Sequence, residues 1–216
     1  MTKQGALFFF FFLLWNLVVT SGFAAKKKIG TKQATASSNK GFGVPPPTLD
    51  EVLSRFRTRI PDQDPESHEC PCRTSGRTYG ECCGPLHQGK PCQTMTDVLK
   101  SRYSAFSWRI IKHIIDTTHV TCKEFREDRV AWAKELNSAG MFDKYDFISL
   151  EAGPEQPGSN PEEGFIQFNV ILRAKEDTSS LTAGQDMVVT EKSRFVRDAD
   201  GRWSYASGDV RTDARA

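Results

Sequence analysis

Apolar positions along this chain follow different rules in successive stretches. Leu7 to Val19 is an almost unbroken apolar run, interrupted only by Asn16. From Val98 the spacing becomes helical: Leu99, Tyr103, Phe106, Ile110, Ile111, Ile114 and Ile115 predict one helix, capped by Thr94 or Thr96 and running to about Thr117. Thr121 and Glu124 stand as a capping box for a second helix, in which Phe125, Arg129, Trp132 and Leu136 share one side and which Gly140 ends. Beyond Gly140 the period falls to two. Tyr145–Glu151, Phe165–Ala174, Met187–Arg197 and Trp203–Ser207 read as strands. Ile166, Phe168, Val170 and Leu172 share one face of the second; Val189, Glu191, Ser193 and Phe195 share one face of the third. The run Asp198-Ala199-Asp200-Gly201 predicts a reverse turn between the last two strands. Helices first and an antiparallel meander after give an α+β fold, with the sheet wrapped around the helices.

The front of the chain reads as an address. The first apolar run, preceded by Lys3, is short for a membrane span of about 20 residues and suits a signal peptide over residues 1–22, with small residues Ser21, Gly22, Ala24 and Ala25 as cleavage positions. Residues 23–49 hold lysines at 26, 27, 28, 32 and 40, many hydroxylated residues and no acid, which suits a transit peptide or a disordered tract. Together they resemble the two-part plastid presequence of algae with secondary plastids; secretion is the alternative. Either way no stable membrane insertion is expected after processing. Pro45-Pro46-Pro47 marks a linker, residues 50–69 a short helix over Leu49–Ile60 and a further linker, and residues 211–216 a disordered tail.

The densest chemical signal is Cys70-Pro71-Cys72 followed by Cys82-Cys83-Gly84, four of the six cysteines within fourteen residues. Thiolates are soft ligands, and four in tetrahedral array favour one zinc ion. Gly76 and Gly80 supply turns, and Arg73 and Arg77 offset the charge of four thiolates. In a secreted protein the same six cysteines suggest three disulfides. Cys92 and Cys122 read as a buried and a peripheral thiol, and His87 as a substitute ligand or a surface residue. The knuckle, residues 70–92, is thus a small metal-bound appendage on a domain spanning 93–210.

The stretch from Cys70 through Pro85 resembles the SEC-C zinc-binding motif. Leu99–Phe106, Thr117–His119, Glu191–Phe195 and Gly201–Tyr205 extend the likeness to the YchJ-like family of uncharacterised proteins, over about Glu69 to Gly208. That resemblance implies a zinc knuckle attached to a cone similar to nuclear transport factor 2 (cystatin-like), helices packed on a curved antiparallel sheet. It implies Cys70, Cys72, Cys82 and Cys83 as ligands of one structural zinc; Arg102 and His119 are family landmarks without a known role. Two departures stand out. Arg73 occupies a position where the motif usually has Gly, so the first turn is expected to differ in shape, and the usual lysine-rich segment is replaced by Arg77–Glu81.

The cone implies a pocket, for which Tyr103, Trp108, His119, Trp132, Glu191 and Arg194 are candidates. His119, Glu191 and Tyr103 could serve an enzyme or a small-molecule binder. The plainer reading makes Trp132 core, pairs Glu191 with a cation across the sheet, and sets His119 at a helix end. No glycine-rich phosphate loop, His-Glu-x-x-His or serine elbow is present, and four thiolates leave a closed metal site that does not activate water. The formal charge of +2 is exceeded by the lysines at 26–40, so the processed chain is close to neutral, against a broad nucleic-acid surface. A non-catalytic zinc protein leads, contacting a protein partner through a patch of Arg73, Arg77, Tyr79 and Lys90, with Lys100 nearby. An RNA- or ribosome-associated knuckle is the other alternative.

Overall fold

A computed structural model describes residues 45–73, 76–175 and 183–214. The expected signal peptide and nearly all of the basic tract lie outside them. Among the described residues, no helix is long and apolar enough to cross a membrane.

Thr48 opens helix α1 (Leu49–Leu53) with a full capping box: its hydroxyl accepts from the Glu51 N–H at 3.3 Å, and the Glu51 carboxylate accepts the Thr48 N–H at 2.7 Å. The helix is shorter than the expected Leu49–Ile60, yet Leu49, Leu53 and Phe56 pack on the helical core. After the knuckle and its short helix α2 (Gly84–His87) comes the central helix α3 (Met95–Trp108), capped by Thr94 with Asp97 reciprocating. Val98, Leu99, Arg102, Tyr103, Ala105 and Phe106 are all buried, so α3 is covered on nearly every side.

The expected helix to Thr117 is broken at Arg109. This residue is left-handed (φ 58°), the Ile110 N–H reaches the Ala105 carbonyl at 2.8 Å, and the Arg109 N–H reaches Phe106 at 3.4 Å. That is a Schellman closure with arginine where glycine is usual. The Arg109 guanidinium holds the strained backbone in place, donating to the Asn137 carbonyl at 2.8 Å and to Asp143 at 3.0 Å. Helix α4 (Ile111–Asp116) follows the break.

The second helix also starts later than expected. Thr121 and Glu124 do not form a capping box, because the Thr121 hydroxyl meets His119 Nδ1 at 2.8 Å and the Glu124 carboxylate accepts the Cys122 thiol at 2.8 Å. Asp128 caps α5 (Arg129–Ser138) instead, accepting from the Ala131 N–H. Ala139 closes α5, and Gly140 opens the short α6 (Met141–Lys144).

The strands are β1 (Tyr145–Ala152), β2 (Gln156–Pro157), β3 (Glu163–Ala174), β4 (Asp186–Arg197) and β5 (Trp203–Ala214), all antiparallel in the order β1-β3-β4-β5, with β2 also on β3. The last strand runs well past Ser207, so residues 211–214, expected as a disordered tail, pair with β4 from Thr190 to Met187. Bulges between Phe147 and Ser149 and between Arg194 and Phe195 bend the sheet, and α3 packs on its inner face. The predicted inward set is buried throughout: Ile166, Phe168, Val170 and Leu172 on β3, and Val189, Glu191, Ser193 and Phe195 on β4. Full burial of each large apolar side chain contributes roughly 1.5–3 kcal/mol.

These side chains form one hydrophobic cluster with Leu99 and Tyr103, and the same cluster contains Cys70, Cys72, Tyr79 and Cys83. The knuckle is therefore built into the main core and is not the appendage that its short sequence span suggests. A second cluster, centred on Phe106, Ile114, Trp132, Leu136 and Phe142, joins α3 to α1, α4, α5 and α6.

Candidate metal centre and cone interior

The knuckle is a tight ladder. Glu69 and Thr78 form an antiparallel bridge, and the Cys70 N–H donates to the Arg77 carbonyl at 3.1 Å. The Arg73 N–H closes a turn onto the Cys70 carbonyl at 2.9 Å, with Arg73 itself at φ 49°. The turn thus keeps a left-handed residue at the position where the motif usually has Gly. Arginine accepts there a conformation costing a residue with a Cβ roughly 1–2 kcal/mol. On the return side, a Cβ on Gly84 would lie 2.8 Å from the Tyr79 carbonyl, so only glycine lets Cys83 come this close.

The result is a cluster in which all four sulfurs lie within 4.8 Å of one another. Cys72 Sγ is 3.5 Å from both Cys70 Sγ and Cys82 Sγ, and Cys82 Sγ is 3.9 Å from Cys83 Sγ. A tetrahedral ion with metal–sulfur bonds of about 2.3 Å requires sulfur separations near 3.8 Å, so the donor set fits a four-coordinate metal. Contact with Cys72 pushes the Cys70 thiol up to about 11, and contacts with Cys70, Cys72 and Cys82 push Cys83 up as well. Crowded thiols hold their protons in this way until a dication lets four thiolates coexist. Cys70, Cys72 and Cys83 are buried; Cys82 is partly exposed.

The cone supplies the surroundings. Ser104 on α3 donates to Cys83 Sγ at 3.3 Å and lies 3.7 Å from Cys70 Sγ, while Arg77 reaches Cys82 Sγ at 3.9 Å. Reading the sequence missed Ser104; its only signal there is a small polar residue between Tyr103 and Ala105. Tyr79, expected on an exposed patch, is 5% exposed. Its ring packs 4.6 Å from Trp108, and its hydroxyl lies 2.9 Å from His87 Nδ1. His87 Nε2 meets the Ser101 carbonyl at 2.8 Å, which only a protonated nitrogen can do, so Nδ1 accepts from Tyr79. His87 is therefore neither a substitute ligand nor a surface residue: it bolts the knuckle to α3. Of the expected patch, Arg73 and Arg77 are exposed beside the cysteines, and Lys90 is exposed on the loop beyond α2.

Inside the cone is a cavity of about 40 Å³, lined mainly by Leu99, Phe106, Phe147, Phe168 and Phe195, with Tyr103, Arg102, Glu191 and Tyr205 as polar members. Arg102 is fully buried, donating to the Ile114 carbonyl at 2.9 Å and to the Thr117 and Thr118 hydroxyls at 3.0 Å, and stacking 4.6 Å over the Tyr205 ring. Glu191 accepts from the Ser193 hydroxyl at 2.5 Å and from Tyr205, and burial pushes it up to about 7 against those bonds and the nearby Arg102. A Cβ on Gly208 would collide with the Glu191 carboxylate. Glu191 thus points into the core and does not pair with a cation across the sheet. The Tyr103 hydroxyl, buried at the cavity wall, has no hydrogen-bond partner among the described residues.

The other pocket candidates lie elsewhere. Trp132 is core, edge-on to Phe125 at 5.7 Å, and Arg194 pairs with Glu163 at 2.5 Å. Trp108 packs on Tyr79. His119 holds its backbone to the Tyr205 carbonyl at 2.7 Å and its ring to Thr121, and it is absent from the cavity lining. The cavity therefore does not bring His119 and Glu191 together. Cys92 and Cys122 are both buried free thiols, raised by burial to about 11 and about 12.

Residues 94–208, more than half of the chain, match the family described as YchJ, middle NTF2-like domain. A UPF0225 protein of Vibrio vulnificus is 34% identical over 140 residues, covering 64% of this chain and 73% of that protein. One from Yersinia pestis is 31% identical over 145 residues, covering 66% and 83%. The solution structure of a SEC-C motif containing protein from Rhodopseudomonas palustris matches with a TM-score of 0.50 and 26% identity, over 65% of this chain and 97% of that one. The cysteine cluster, the order of helices before strands and these likenesses agree: the chain belongs to the YchJ-like family, an α+β protein with a SEC-C-type cysteine cluster set against an NTF2-like cone.

Proposed function

We propose that this protein is a non-catalytic zinc protein, an accessory module that contacts another protein through its knuckle. The observation that carries the reading is the four-sulfur cluster, enclosed by the cone and furnished with Ser104 and Arg77 as outer partners. Zinc suits four thiolates in a tetrahedral, redox-silent site, and with no further ligand at hand among the described residues it stabilises structure. Cys70, Cys72, Cys82 and Cys83 are its ligands. The cone cavity supports the non-catalytic reading, since about 40 Å³ holds on the order of one to three waters, far below the roughly 300–1,000 Å³ of a ligand pocket. Arg73 and Arg77 form the contact surface beside the metal. The leader, with its signal-like and transit-like parts, directs the chain to a plastid, and a fluorescent fusion of residues 1–49 that accumulates outside plastids argues for secretion.

Native mass spectrometry on protein purified without added zinc tests the metal. One bound zinc, lost in Cys72→Ser, is expected; a metal-free chain two hydrogens lighter for each bridge would replace the zinc site with disulfides. The partner reading is tested by Arg73→Glu with Arg77→Glu. Loss of a copurifying protein with zinc retained is expected, whereas retention of that protein, or loss of RNA in its place, would sink it.

A further inference from the structure

The seam between knuckle and cone holds a larger feature that the metal centre does not use. It is a cleft of about 640 Å³, within the range of sites that bind ligands. One wall is the end of α2 with the loop that follows it to Cys92; the others are α4, the start of α5 and the β4–β5 turn at Asp198–Ser204. The Trp203 N–H donates to the Cys92 carbonyl at 3.1 Å and fixes the two modules at this seam.

Its lining is net cationic. Lys90, Lys112, Arg129 and Arg202 line it together with Asp116 and Asp198. Lys112, at 2.9 Å, and Arg129 share Asp116, while Arg202 is balanced by Asp198 and by the neighbouring Asp200, each at 2.9 Å. Lys90 is exposed, and its ammonium has no ion pair among the described residues. His87 and His113 stand at the floor with ring centroids 4.5 Å apart, both kept neutral by burial, so they add no charge. Leu86, Pro91 and Trp203 supply apolar wall between the cations.

We propose that this cleft binds an acidic, extended segment of a protein partner. Two centres stay cationic, Lys112 with Arg129 around the single carboxylate of Asp116, and Lys90; Arg202 is already balanced by Asp198 and Asp200. Carboxylates spaced along a strand, with like-facing side chains about 6–7 Å apart, can use one centre each and place apolar side chains on the wall. A phosphate would instead need donors converging on one point, and Asp116 between Lys112 and Arg129 would repel its second charge. The proposal is independent of the contact assigned to Arg73 and Arg77, which do not line the cleft.

The test is fluorescence anisotropy with the full chain and a short fluorescein-labelled peptide of alternating glutamate and leucine, at low and physiological salt. Saturable binding is expected, weakened at least tenfold by Lys90→Glu and several-fold by Lys90→Ala, both at an exposed position without side-chain partners. Arg73→Glu with Arg77→Glu is expected to leave this affinity within twofold. The Trp203 indole NMR resonance should shift on titration. No saturable binding, or binding that ignores Lys90→Glu, would overturn the proposal. So would a single-stranded oligonucleotide that binds more tightly than the peptide with the same Lys90 dependence.

Discussion

The metal centre and the cone floor solve the same problem, polar groups in a hydrophobic core, in opposite ways. At the centre, four thiols from one fourteen-residue stretch are pressed together, with the exposed Arg77 guanidinium 3.9 Å from Cys82 at their rim. Cys70 and Cys83 gain proton affinity from the neighbouring thiols, a conflict that the proposed zinc would resolve. At the floor, Arg102 and Glu191 come from a helix and a strand far apart in sequence and are satisfied internally by Ile114, Thr117, Thr118, Ser193 and Tyr205. As a zinc site, the first would depend on solution conditions that supply metal, and the second depends on the fold being complete. Both border α3, so the two dependencies meet in one helix.

The largest expected effect breaks the first site and watches the second. Because Cys70, Cys72 and Cys83 share a core with Leu99, Tyr103 and Val170, removing the metal should loosen the cone as well as the knuckle. Structural zinc in small domains carries about 10–16 kcal/mol of apparent binding energy; here a stability loss of about 5 kcal/mol or more is expected on chelation, and a similar one in Cys83→Ser. Thermal unfolding followed by near-ultraviolet circular dichroism checks it. An unchanged cone signal on metal removal would show the two regions to be energetically separate.

The next effect sharpens the cone floor. Glu191 is held near 7 by burial, above its unfolded value of about 4.5, so the native state keeps a proton that the unfolded chain has released. Between those values the unfolded state binds fewer protons, and stability falls as pH rises. The favourable term is whole below about pH 4.5 and is lost through about pH 7, to the extent of about 3 kcal/mol. Glu191→Gln, which is neutral throughout, should remove this slope. Denaturant unfolding of both proteins from pH 4.5 to 8 isolates it, since metal release and surface carboxylates affect the two alike. Parallel curves would show Glu191 to be charged in the native state at every pH tested.

The same contrast explains what the sequence made legible. The cysteine cluster was readable because its donors are neighbours in the chain, and the inward faces of β3 and β4 because a period of two survives any packing detail. The break at Arg109 was not readable: its left-handed backbone depends on Asn137 and Asp143, residues from α5 and α6 that only the folded chain brings near. The capping box at Thr121 failed for a related reason, since His119 and Cys122 compete for its two side chains. Tyr79 looked like part of an exposed patch among arginines, and nothing local shows that Trp108 and His87 close over it. Seeing Glu191 on the inner face was within reach of alternation; its hydrogen-bond partners were not.

The smallest effect returns to the knuckle and concerns one backbone angle. Arg73 has φ 49°, where a side chain costs roughly 1–2 kcal/mol and glycine costs nothing sterically. Its guanidinium offers little in return: the bond to the Ile148 carbonyl is 3.3 Å long, and Glu69 lies 3.9 Å away with both side chains more than half exposed. Glycine is also more flexible when unfolded, which takes back about 0.5–1 kcal/mol. Arg73→Gly should therefore stabilise the metal-loaded protein by about 0.5–1 kcal/mol, whereas Arg73→Ala, which keeps the strain and loses the contacts, should not. Denaturation midpoints of the three proteins at fixed zinc decide the matter. If alanine and glycine behave alike, the left-handed turn is not where arginine's presence is felt, and the side chain's exposed charge beside the four sulfurs is the remaining reason for it.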